Sequence, residues 1–183
     1  MRGGGVRLAS ALVLLALSAS APARADAVQM YSYDPADTVT RRAAGALTFE
    51  FRRRLITTEV LRVDASTGQA SAALREAADG DLGAPIEALI GPTARERDLY
   101  EIRPEGEGAA MVRAFCPGAD RAWLAFGRLR ANLPLRVHVL GAATGSPAHL
   151  CATLNFEFRG EWRGPRVRDE VRQNEIRQPH FPY

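Results

Sequence analysis

The sequence predicts an all-β fold, mainly antiparallel: a sandwich or an open barrel, with at most one short helix and a charged C-terminal tail. Three observations predict it. Residues 150–159 alternate strictly, with Leu150, Ala152, Leu154, Phe156 and Phe158 set against Cys151, Thr153, Asn155, Glu157 and Arg159. Shorter stretches repeat the pattern, and clusters of turn residues separate them at strand-like spacing. Period two places one face of each strand in a core and the other in solvent.

The first 25 residues read as an address rather than a fold. A positive start with Arg2 and Arg7 precedes the apolar run 8–19, and Ala23-Arg24-Ala25 closes the segment with small residues. That is an export signal, with cleavage expected between Ala25 and Asp26. The run is too short to span ~30 Å of hydrocarbon. A single domain is expected over 26–164, followed by a tail or short helix over 165–183.

Within the domain, Leu47, Phe49 and Phe51 alternate with Thr48, Glu50 and Arg52. Leu135, Val137 and Val139 alternate with Arg136 and His138. Residues 28–33, 56–63, 99–103, 109–115 and 122–129 are weaker strand candidates. Residues 84–90 are the candidate short helix. Asp79-Gly-Asp-Leu-Gly83 and Glu105-Gly-Glu-Gly108 read as loops. Gly127 and Pro134 favour a hairpin turning at 130–133 over a helix. Leu47-Thr-Phe-Glu-Phe-Arg52 matches Leu154-Asn-Phe-Glu-Phe-Arg159 at five of six places. No longer self-similarity surrounds this echo, so it reads as coincidence between two half-buried strands.

The chain has 183 residues, 24 basic and 21 acidic. Three of the arginines lie in the leader, so the remainder is electrically balanced, and no nucleic acid is expected as a partner. Lysine is absent. No later stretch has the length of a spanning helix. Aromatics make up 7% of the chain, too few for the girdles of a membrane barrel. Export leads to a periplasmic or secreted location in a bacterium. Two cysteines in that compartment point to one disulfide, Cys116 to Cys151. Its loop of 35 residues is worth roughly 3.5–4 kcal/mol in the chain-entropy treatment.

Residues for chemistry are sparse. Ser32, Ser66, Ser71 and Ser146 lie outside any Gly-x-Ser-x-Gly elbow. Glu50 and Glu157, from the echoed hexapeptide, are the obvious carboxylate pair, but both fall on solvated strand faces beside arginines. A hairpin joining 135–140 to 150–158 would set His138 opposite Cys151, with His149 diagonal to it. Two imidazoles and a thiolate suit zinc or copper, provided Cys151 is unpaired. No motif for a cofactor occurs. Arg52, Arg53, Arg54 and Trp162 form the candidate binding surface. The reading that follows is an exported, non-enzymatic β domain that binds another envelope component, protein or glycan. Two others stand beside it: a periplasmic hydrolase of envelope polymers, and a ligand or metal carrier using His138, His149 and Cys151.

Overall fold

A computed structural model describes residues 28–53 and 57–163. The expected leader, Arg54 and the tail from 165 onward lie outside these residues. Eight antiparallel strands run in chain order around a closed barrel. They are β1 (Val28–Pro35), β2 (Leu47–Arg53), β3 (Thr58–Ala65), β4 (Ala70–Glu76), β5 (Asp98–Ile102), β6 (Arg121–Phe126), β7 (Leu135–Ala142) and β8 (His149–Arg163). Pairing of β8 with β1, from Gln29 with Arg163 to Pro35 with Phe156, closes the ring.

Closure corrects the expected sandwich or open barrel. One sheet curls until its own inner face becomes the core, and every strand has a paired neighbour on each side. Bulges at the β1–β8, β2–β3 and β7–β8 ladders supply local bending.

An eight-stranded barrel is just wide enough for side chains to fill. Here aromatics cross it. Tyr33 meets Phe49 edge-on, Phe49 meets Phe126 at 5.1 Å between centroids, and Phe126 stacks on Tyr100. The echoed hexapeptides are β2 and the middle of β8, and both flank β1. Tyr31 stands edge-on between Phe51 and Phe158, which occupy the same place in the two copies. The two copies thus share a neighbour on β1. Their one difference is local too. Thr48 bonds the Ser32 hydroxyl, whereas Asn155 reaches Asp37, the N-cap of helix α1 (Thr38–Ala43).

Both mouths are filled. Residues 109–115, expected as a strand, are instead the body of helix α3 (Gly108–Phe115), which lies between β5 and β6. Met111, Val112 and Phe115 are spaced to share one helical side, and all three are buried in the barrel core. Gly108 sits where a Cβ would strike the carbonyl of Arg103, so the helix can begin hard against the end of β5. At the other mouth the 127–134 connection lowers Leu129 into the core, and the Tyr33 hydroxyl donates to the Arg130 carbonyl at 3.4 Å.

The helix expected over 84–90 is present as α2 (Ile86–Ile90). With α1 and α3 it makes three short α-helices among the described residues rather than one. The stretch holding α2 covers the outside of β5–β7, where Leu82 and Ile86 pack on Leu99, Trp123, Ala125 and Leu140. That cover explains why β7 is buried on both faces along most of its length. Elsewhere the outer wall carries Glu50, Arg62, Asp64, Arg75, Glu101 and Arg121. Apolar inside and charged outside is the reverse of a lipid-facing barrel. No helix among the described residues is long and apolar enough to cross a membrane.

Candidate functional site

Two of the residues singled out in the sequence come together on the outer wall across β1. Arg52 pairs with Val28, Glu50 pairs with Met30, and Met30 pairs in turn with Trp162 on β8. Residues at 28, 30, 50, 52 and 162 thus share the outward face of three adjacent strands. Trp162 is 46% exposed and lies over Gly160, whose missing side chain leaves room for the indole. Val39, Leu133 and Leu150 are also exposed, but Trp162 is the one aromatic in that group. Arg163 carries a distant ion pair to Glu161 at 3.9 Å. The result is an apolar centre of Trp162, Met30 and Val28, rimmed by Arg52 and Glu50, whereas Arg163, opposite Gln29, follows the other parity.

Arg53 points the other way. It follows the inward parity of Phe51 and curls over the barrel mouth, 5.5 Å above the rings of both Tyr31 and Phe51. Its guanidinium donates to the Tyr31 hydroxyl at 2.8 Å. Arg53 therefore caps the aromatic core, while Arg52 lies on the patch.

The histidines do not meet as the symmetric hairpin implied. His138 pairs with Thr153, not with Cys151, and Leu140 pairs with Leu150. One extra residue in β8, Cys151, bulges between Leu150 and Ala152 and turns its sulfur towards Cys116. The same bulge leaves Leu150 outside, against its expected inward place. His138 is buried beneath the segment following α2. Its Nδ1 lies 3.0 Å from the Thr153 hydroxyl and its Nε2 is 3.6 Å from the Glu96 carboxylate, beyond hydrogen-bond range. Burial lowers the His138 pKa, against the pull of Glu96. Burial tends to raise Glu96, but backbone N–H groups and His138 hold it below the usual carboxylate range.

Cys116 and Cys151 are joined as a disulfide, with Cα atoms 5.4 Å apart. It ties the C-cap of α3 to the start of β8. His149 lies over it, with Nε2 at 3.9 Å from one sulfur and 3.7 Å from the other. A Cβ on Gly141 would collide with both sulfurs, so β7 leaves space for them. Cys151 and His149 are thus neighbours, while His138 stands apart, opposite Thr153.

Two other polar features were not visible in the sequence. Glu101, 8% exposed, is held between Arg75 and Arg121, and Arg121 lies 4.7 Å above the Trp123 ring. Burial works to raise the Glu101 pKa, but the two arginines bring it below the ordinary value. Between β3 and β4 the ladder covers only Arg62–Ala65 with Ala70–Ala73. Beyond it the strands part into a cleft of about 450 Å³, lined by Thr58, Val60, Leu74, Glu76 and Tyr100. The Tyr100 phenol is pushed up to about 12, by burial first and then by the charges of Asp98 and Glu76. As for the carboxylate pair, Glu50 and Glu157 sit on opposite sides of β1, four residues apart along it. Sheet spacings place them roughly 16 Å apart. Glycoside cleavage needs ~5–9.5 Å.

Comparison of the chain with protein-family models, with curated proteins and with solved structures finds no match.

Proposed function

We propose that the protein is an exported, non-enzymatic barrel that binds another component of the cell envelope, a protein or a glycan, through its outer wall. The observation that carries the reading is the convergence of Trp162, Met30 and Arg52 on one outward face. An exposed indole within an apolar centre and a charged rim is the make-up of a recognition hot spot. The filled interior supports the same reading, because Phe49, Phe126 and Tyr33 occupy the space an internal ligand would need. The leader expected over 1–25 sends the product out of the cytosol, with a new N-terminus at Asp26.

The test offers the purified protein two probes: peptidoglycan sacculi, and membrane proteins extracted in detergent from the producing cell. Saturable retention on one of them is expected. Trp162→Ala should weaken it about 30-fold, the equivalent of a ~2 kcal/mol hot spot, with an unchanged circular dichroism spectrum. Retention by neither probe, or equal retention of the variant, would overturn the proposal.

A further inference from the structure

We propose that Cys116, Cys151 and His149 form a zinc site that opens when the disulfide is reduced. Their ligand atoms lie within 4.8 Å of one another, and they come from two separate elements, the end of α3 and the start of β8. A tetrahedral zinc with bonds of ~2.3 Å to sulfur and ~2.05 Å to nitrogen needs S···N edges of ~3.6 Å and an S···S edge of ~3.8 Å. Both S···N edges already measure 3.7 and 3.9 Å. Only the sulfur–sulfur edge must open, from a covalent bond to ~3.8 Å. Gly141 offers no side chain in the way of that movement.

A dithiol reductant supplies the step. It transfers two electrons and two protons to the sulfurs and becomes a disulfide itself, leaving Cys116 and Cys151 as thiols. Zinc then displaces both thiol protons to solvent and takes the His149 Nε2 lone pair as its third ligand. His149 is exposed and Cys151 partly so, which leaves the fourth position to water. The bonded state has no thiolate to offer, so reduction gates the metal.

The experiment uses the intact protein, freed of metal by chelator, oxidised or reduced anaerobically with a dithiol that is then removed. Zinc is titrated against a chromophoric chelator, and cobalt is added separately to read thiolate-to-metal charge transfer. The reduced form should take up one equivalent of zinc and the oxidised form none. His149→Ala should weaken binding by about tenfold or more, with loss of nitrogen ligation from the cobalt spectrum. Circular dichroism reports whether the barrel persists. A reduced barrel that binds no zinc, a His149→Ala variant of unchanged affinity, or a reduced chain that loses its strand signal would each overturn the proposal.

Discussion

Truncating Phe49 to alanine is the sharpest test of the filled barrel. Phe49 is fully buried on β2, and its ring faces Tyr33 at 6.2 Å on one side and Phe126 at 5.1 Å on the other. The second contact joins β2 to β6 across the interior, so neighbouring strands cannot close over the gap. A Phe→Ala change in such a site costs about 3–5 kcal/mol, transfer and cavity terms together. About 0.5–1.5 kcal/mol of that belongs to the Phe49–Phe126 pair and should appear as coupling in a double-mutant cycle with Phe126→Leu. Urea unfolding followed by fluorescence of Trp123, itself 1% exposed, gives the midpoint. Benzene should bind the new cavity and recover part of the loss. Glu50→Ala, one residue away on the outer face, should change stability by less than about 0.5 kcal/mol. A Phe49→Ala cost below about 1 kcal/mol, or no benzene effect, would show that the barrel interior is not a packed core.

The remaining expectations concern charge and the cross-link. His138 is buried with a lowered pKa, so between its unfolded value near 6.5 and its lower folded value only the unfolded chain takes the proton. Stability should therefore fall as pH drops below ~6.5, before carboxylates titrate, and His138→Gln should remove that early loss in thermal melts across pH. Glu101→Ala leaves Arg75 and Arg121 facing each other. It should cost about 1.5–3 kcal/mol in urea unfolding, nearer the low end because both arginines are half-exposed. The Glu101 pKa is depressed, so its contribution is present above ~4.5 and disappears as pH falls through the folded value; a wild-type acid limb identical to that of Glu101→Gln would contradict this. Reducing the 35-residue disulfide loop should lower stability by about 3.8 kcal/mol while leaving the barrel folded. Equal urea midpoints for the oxidised and reduced forms would refute it.

How far the fold could be read depended on side-chain size and on sequence distance. β8 was legible because Leu154, Phe156 and Phe158 are large and alternate with polar residues. β4 passed unnoticed because Ala70 and Ala72 are buried on the same parity as Leu74 but carry little hydrophobic signal. α3 resembled a strand because its buried residues are few and the segment is short. Closure rests on β1 meeting β8 from the far end of the chain, a pairing that no local pattern encodes. The disulfide is legible from the cysteine count and the expected export alone. The sequence also sets His149 close to Cys151, as found; His138 falls elsewhere, because a single bulged residue at Cys151 shifts the ladder and places it opposite Thr153. Trp162 and Arg52 both read as surface residues in the sequence. Their convergence required β1 between them.

Hydroxyl-radical footprinting reads that convergence directly, since tryptophan and methionine are among the most readily oxidised side chains. The protein is oxidised alone and again in the presence of whichever envelope fraction retains it, sacculi or extracted membrane proteins. Trp162 and Met30 should be labelled in the free protein and protected together in the complex, while buried Trp123 stays unlabelled in both. Protection confined to the β3–β4 cleft around Tyr100, with Trp162 and Met30 still fully oxidised, would contradict recognition through the outer wall.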